Sequence, residues 1–168
     1  MRTCIALGSN LGDRLAHLQA AIQALRLVPG LSGPWLLSSI YETEPVGSDS
    51  DAGAYLNAVV EVEYEGQPMA LLDALQVIEA SFGRPSKRPR NAPRIIDLDI
   101  LYVGNLVLTN PEVIIPHPRL HLRRFVLTPL HDIRPDLVLP GQQETVAHLL
   151  QHLNDPAAVA LHTQSWNL

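Results

Sequence analysis

The chain has one cysteine, Cys4, so no disulfide can form within it, which suits a reducing cytoplasm. Cys4 stands in an apolar strand pattern and reads as a small buried thiol rather than a nucleophile. No apolar run approaches the length of a membrane span, and the first apolar stretch meets Gly8 too soon for a signal peptide. Aromatics are 5% of the residues, and no basic-Gly-aromatic-Gly strand motif appears, which weighs against a single-stranded RNA reader. Gly8-Ser9-Asn10-Leu11-Gly12 lacks the glycine-lysine-serine/threonine ending of a phosphate loop. From Arg84 to Arg94 there is no acid at all.

What is present fits an ordinary globular chain of 168 residues, 46% hydrophobic and 17% charged, read as one domain over 1–168. The net charge of −5 is unevenly spread. Residues 1–83 carry three basic and ten acidic side chains; residues 84–168 carry nine and seven. An acidic chain with one local basic segment points to a focused anion site, not to broad nucleic-acid binding.

The apolar pattern predicts a strand over residues 3–7, then a helix capped by Asp13 with Leu15, Leu18, Ile22 and Leu25 on one stripe, ended by Pro29-Gly30. A second strand is expected over 35–42. The third, Tyr55 to Tyr64, alternates: Leu56, Ala58, Val60 and Val62 face one way, and Tyr55, Asn57, Val59 and Glu61 the other. Pro68 starts a second helix with a stripe of Leu71, Leu72, Leu75, Ile78 and Phe82, closed by Gly83. A fourth strand is expected over Ile95–Val103, with Gly104-Asn105 turning it as a hairpin into 106–108. The order βαββαβ is that of an α+β, ferredoxin-like split-βαβ sandwich. Its antiparallel sheet would carry both helices on one face and leave the other free for a site. Beyond residue 110 the prolines leave room for helices near 119–131 and 143–153, read as a packing helix and tail.

The chemistry concentrates where five cations (Arg84, Lys87, Arg88, Arg90 and Arg94) run into Asp97-Leu98-Asp99. Two residues apart on a strand, Asp97 and Asp99 project from one face about 6.5–7 Å apart, while Leu98 and Ile100 point to the buried one. Such a pair can bracket two Mg²⁺ ions about 3.5–4 Å apart, and magnesium favours hard oxygen ligands. The bland reading of Asp-x-Asp is a solvated strand face, which the neighbouring cations disfavour. Arginines grip phosphate oxygens through paired, charge-assisted hydrogen bonds. Three prolines make a helix implausible in that arm.

Tyr55 and Asn57 on one face suit a flat heterocycle, the ring stacking and the amide reading its edge, although β-propensity alone explains them too. Glu79, beside the second helix's stripe, is either paired with an arginine of the arm or a surface residue. The histidine pairs His117/His121 and His148/His152 lack any further zinc-ligand pattern. His117 follows Pro116 near arginines, where a phosphate or ribose contact is plausible.

The block Arg90-Asn-Ala-Pro-Arg-Ile-Ile-Asp-Leu-Asp-Ile-Leu101 resembles the signature of the 6-hydroxymethyl-7,8-dihydropterin pyrophosphokinase family. Ala6–Asp13, Tyr41–Gly47, Tyr55–Asn57, and Pro116-His117 with Arg123 and Phe125 support it in the same order. The resemblance implies transfer of diphosphate from ATP to a hydroxymethyl-dihydropterin, with AMP released. It implies Asp97 and Asp99 on two Mg²⁺ ions, and Arg84, Arg94 and Lys87 on the phosphates. His117 and Arg123 would add nucleotide contacts, and Gln76 and Ile100 would line the nucleoside pocket. Tyr55 and Phe125 would sandwich the pterin, while Asn57, Asp97 and the backbone from Thr43 to Val46 read its edge. Asn91, Ser86 and Pro118 stand where some members carry tryptophan, arginine and an aromatic. The loops at 44–54 and 83–94 would close over both substrates and exclude water. Neither a nucleic acid nor a membrane is an expected partner, and a monomer is. The competing readings are an RNA-binding module and a regulatory nucleotide-binding domain without catalysis.

Overall fold

The computed structural model describes residues 1–44, 53–83 and 94–168. Val46, Arg84, Lys87, Ser86 and Asn91, with most of the two loops expected to close over the substrates, lie outside the described residues.

The first strand, β1 (Arg2–Ser9), becomes an interior strand of the main sheet, antiparallel to β4 (Tyr55–Tyr64) on one side and β5 (Asp97–Val103) on the other. Between β1 and the next strand, α1 (Arg14–Leu25) begins as expected, the Asp13 carboxylate accepting the Ala16 N–H at 3.1 Å. It buries Leu18, Ala21, Ile22 and Leu25 and stops at Leu25, ahead of Pro29-Gly30. Gly30 then turns the chain at φ +84°. A Cβ there would meet the Glu65 carbonyl oxygen at 2.6 Å, so only glycine fits.

The single strand expected over 35–42 is two: β2 (Leu31–Leu37) and β3 (Ile40–Thr43). The break falls at Ser38-Ser39, where tertiary partners replace the ladder. The Ser38 hydroxyl accepts the Val59 N–H at 2.9 Å, and the Ser39 N–H donates to the Asp132 carboxylate at 3.1 Å.

The helix α2 (Pro68–Ser81) buries Leu71, Leu75 and Ile78 as its spacing predicts, and Gly83 closes it at φ +85°. The expected hairpin from β5 into 106–108 does not form. Gly104 does turn, at φ +50°, but β6 (Leu108–Thr109) pairs with β7 (Ile114–Ile115) in a separate two-stranded sheet. A turn signal fixes where a chain reverses, not what it pairs with afterwards. A short 3₁₀ turn (Leu120–Leu122) and α3 (Arg124–Ile133) occupy the stretch read as one helix over 119–131. The helix expected over 143–153 is the shorter α4 (Val146–Gln151), capped by Thr145. The region read as a tail holds β8 (Val159–Thr163), which pairs with β3.

The main sheet runs β5-β1-β4-β3-β8, with β2 also on β4, and its pairs are antiparallel. This is an α+β architecture. Its first face packs α1 and α2 over Ile5, Leu7, Leu56, Val60, Leu98 and Ile100. The opposite face is not left free, as the sequence reading has it. Cys4, Val59, Leu101 and Tyr102 form a second core there with Val126, Leu127 and Leu130 of α3 and Val146 of α4. A shift in register lets both Leu101 and Tyr102 join it: Cys4 pairs with Tyr102, while Ile5 pairs with Ile100. Glu61 is buried in this layer, where Arg134 binds one carboxylate oxygen and the Tyr102 hydroxyl the other. The other end of this face, toward Gly8 and Asp97, holds a cleft. No helix among the described residues is long and apolar enough to cross a membrane.

Candidate active site

The cleft's floor is a row across three strands. Gly8 of β1 lies between Asn57 of β4 and Asp97 of β5, and Ala6 lies between Val59 and Asp99. Small residues on the central strand keep that floor open. A Cβ at Gly8 would stand 3.2 Å from Asn57 Oδ1 and 4.0 Å from Asp97 Cβ. Asp97 and Asp99 share this face, as the strand spacing predicts, while Leu98 and Ile100 are buried beneath α1 and α2.

Two contacts fix the carboxylates' strand at its open edge. Glu79 of α2, 5% exposed, accepts the Leu98 N–H at 2.8 Å, between the two aspartates. The sequence leaves Glu79 either paired with an arginine of the arm or on the surface; the structure buries it as a brace on Leu98, and most of the arm lies outside the described residues. Asn10 holds the entry to β5: its side-chain oxygen accepts the Arg94 N–H at 2.6 Å, and its N–H donates to the Arg94 carbonyl at 3.0 Å. Arg94 in turn places its guanidinium 2.5 Å from Asp97 Oδ1. Burial works against that cation, but Asp97, Asp99 and Tyr55 more than offset it and raise its pKa.

The opposite wall comes from the segment leading into α3. His117, Arg123, Phe125 and Val126 line the cleft with Leu101. Arg123 stacks its guanidinium 5.4 Å from the centroid of the Phe125 ring. The start of α3 is anchored by Asp155, whose carboxylate accepts the Arg124 N–H at 2.8 Å, a favourable place for an anion at a helix N-terminus. His117 is fixed by its N–H to the Leu101 carbonyl at 2.8 Å, and its Nδ1 accepts the Arg119 N–H at 3.1 Å. Burial, then the charges of Arg123 and Arg119, pull its pKa down to about 4. His117 is therefore neutral near pH 7, with its proton on Nε2, available as a donor.

On the β4 side, Asn57 donates from Nδ2 to the Thr43 hydroxyl at 2.7 Å, and both are buried. Tyr55 sits on the same strand face, partly buried, its hydroxyl pKa raised first by burial, with Arg94 and Asp97 in electrostatic reach. The structure thus brings together Asp97, Asp99, Asn57, His117, Arg123 and Phe125 in one cleft, with Arg94, Thr43 and Tyr55 at its margin. It does not bring the Gln76 and Ile100 side chains there: Gln76 is exposed on α2, and Ile100 is 5% exposed in the core. Gly8, Ala6, Asn10 and Glu79 carry site geometry that sequence reading misses. The Gly-Ser-Asn run hints at Asn10, but nothing local shows that its partner is 84 residues away.

The donor set fits magnesium. Among the described residues no group of three or more histidine, cysteine or acidic side chains could hold a metal ion. Two carboxylates on one strand face supply hard oxygens without a cage, which suits an ion that keeps waters and takes its remaining ligands from phosphate.

Comparison with known proteins shows what the chain as a whole is similar to. The family model for 7,8-dihydro-6-hydroxymethylpterin-pyrophosphokinase matches residues 4–135. A 2-amino-4-hydroxy-6-hydroxymethyldihydropteridine pyrophosphokinase of Haemophilus influenzae is 41% identical over 160 residues, covering 94% of this chain and 96% of its own. One of Bacillus subtilis is 42% identical over 129 residues, 77% of this chain and 75% of its own. Among solved structures, a Plasmodium falciparum HPPK-DHPS has a TM-score of 0.70 at 16% identity, over 89% of this chain and 45% of that longer one. At that identity the likeness speaks for the fold alone, and this chain spans less than half of the longer one. With the family model spanning most of the chain and a relative 41% identical almost end to end, this chain belongs to the 7,8-dihydro-6-hydroxymethylpterin-pyrophosphokinase (HPPK) family.

Proposed function

We propose that the family's reaction runs in the cleft between β5 and α3. The reaction moves the terminal diphosphate of ATP onto the hydroxymethyl oxygen of 6-hydroxymethyl-7,8-dihydropterin, a step of folate biosynthesis. The hydroxyl oxygen attacks the β-phosphorus, the bond from that phosphorus to the α–β bridging oxygen breaks, and AMP leaves with the bridging oxygen. The hydroxyl proton passes to solvent.

Transfer of this kind asks little covalent chemistry of the protein; positioning and charge neutralisation carry it. Asp97 and Asp99 would hold two magnesium ions, which supply charge neutralisation and alignment of the phosphates. Arg94 stands beside Asp97 and neutralises phosphate charge, with Arg84 and Lys87 assigned the same task from the sequence. His117 donates from Nε2 and Arg123 from its guanidinium to the nucleotide. Tyr55 and Phe125 stack the pterin ring, Asn57 reads its edge, and Thr43 and the backbone to Val46 complete that wall. Gln76, exposed on α2, and the Ile100 backbone form the nucleoside side. By the period-two alternation the Ile100 N–H points to the same open edge as that of Leu98.

The strand order β5-β1-β4-β3 supports a ferredoxin-like frame for residues 1–168 as one domain. We assign the chain a monomeric state from the sequence reading, and the lone buried Cys4 suits the cytoplasm. The observation that carries the reading is a cleft in which two carboxylates face an amide, a neutral histidine and an arginine-stacked aromatic. Incubation with ATP, magnesium and the hydroxymethyl-dihydropterin should release AMP in step with pterin diphosphate. ATP hydrolysis without pterin product, or no turnover, defeats it.

A further inference from the structure

We infer that Arg14 is a positioning residue for the heterocycle wall of the cleft, acting as a clamp across the end of the β3–β4 ladder. This rests on the assignment of Thr43, Tyr55 and Asn57 to that wall.

Arg14 is the first residue of α1, whose first turn holds no acid. A cation there opposes the helix dipole, so helix stability does not explain it. Its guanidinium instead bridges β3 and the residue that leads into β4. Nη1 donates to the Ala54 carbonyl at 2.7 Å, and Nη2 meets Glu42 Oε2 at 2.7 Å. Glu42 and Ala54 immediately precede Thr43 and Tyr55, which face each other as the last pair of a ladder only three pairs long. The Thr43 hydroxyl then accepts the Asn57 amide at 2.7 Å. The chain of contacts runs from Arg14 through the Thr43–Tyr55 pair to the side chain that lies beside Gly8 in the cleft.

The planar fork of arginine matches this double task, whereas a lysine ammonium is a single point charge. The side chains of Arg14 and Glu42 are 27% and 41% exposed, so solvent screens the pair and the fold does not depend on it. Its loss should therefore appear in pterin recognition and not in folding.

Steady-state kinetics of Arg14→Ala, Arg14→Lys, Glu42→Gln and Asn57→Ala test this, alongside thermal midpoints. Arg14→Ala should raise KM for the pterin about tenfold, within the roughly 10²-fold that small misplacements cost, with kcat and KM for ATP within about twofold. Its thermal midpoint should move by no more than about 3 °C. Glu42→Gln keeps an acceptor oxygen and should stay near wild type, while Arg14→Lys, able to hold one contact of the two, should fall between. Unchanged pterin KM in Arg14→Ala, or equal losses in both substrates' KM, kcat and midpoint, overturns the inference. Should Arg14→Ala fail to fold, a pterin KM for Arg14→Lys indistinguishable from wild type overturns it. Asn57→Ala separates the two levels: if it leaves pterin KM untouched, the wall assignment itself falls; if it raises KM and Arg14→Ala does not, only the clamp falls.

Discussion

Replacing Asp97 by asparagine removes a charge and almost no volume, which makes it a clean probe of the cleft. The fold should hardly register it. Arg94 and Asp97 are about a quarter exposed, at 28% and 24%, so their ion pair is worth roughly 1 kcal/mol or less. The change also relieves repulsion from Asp99. At about 7 Å that repulsion is roughly 0.6 kcal/mol in a water-like dielectric and about 2.4 kcal/mol at an effective value near 20. The two effects oppose each other and leave stability nearly unchanged. Catalysis should behave differently, because the proposed mechanism assigns the lost charge to the preorganised field around the phosphates. Removing one such element costs about 10²- to 10³-fold in turnover, or about 2.7–4 kcal/mol. AMP release at saturating ATP and pterin, titrated with magnesium, measures the loss, and calorimetry measures the fold. With both carboxylates assigned to the same ions, adding Asp99→Asn should cost no more than about another tenfold. A folded Asp97→Asn variant that keeps more than about a tenth of wild-type turnover at saturating magnesium would refute the metal assignment.

His117 titrates near 4 in the folded chain, against an ordinary value of 6.5, because of burial and then Arg123 and Arg119. The unfolded chain therefore takes up that proton first, and stability falls as pH drops through this window, by no more than about 2 kcal/mol between pH 8 and pH 5 because solvent screens this partly exposed ring. Urea unfolding at both pH values should show that loss in the wild type and not in His117→Gln; equal losses sink the assignment. Glu79→Ala strands the Leu98 N–H in a buried setting and should cost about 1–3 kcal/mol. The same variant should lower turnover, so a fall in calorimetric stability with normal AMP release would break the link between Glu79 and the aspartates. Arg134→Met leaves Glu61 buried without its cation and should destabilise by about 3 kcal/mol, while KM for both substrates stays put. A loss below about 1 kcal/mol, the scale of a surface pair, would contradict that burial.

The parts of this fold written in local pattern were legible before any coordinates. Strand β4 shows its alternation, α1 its Asp13 cap, and α2 its stripe and closing glycine. Asp97 and Asp99 were legible because strand period alone puts two residues at i and i+2 on one face. What escaped depends on partners far along the chain. The break at Ser38-Ser39 is made by Val59 and Asp132, and Asn10 brackets Arg94 from 84 residues away. Strand β8 has a largely exposed face and so no amphipathic signature, and its pairing with β3 spans more than a hundred residues. The second core was hidden because the strand face that meets α3 carries Glu61, Asn57 and Tyr55, which look solvent-facing until Arg134 and the cleft supply their partners.

The interior position of β1, with a partner on each side, has a consequence for biosynthesis. Strand β1, made before both of its partners, needs one neighbour that begins at Tyr55 and another that begins at Asp97. At translation speeds of about 5–20 residues per second, both of its edges wait several seconds for company. During that interval Ile5 and Leu7 have no finished sheet to join, so nascent chains halted near residue 64 should aggregate or recruit chaperones, whereas chains released past β5 should not.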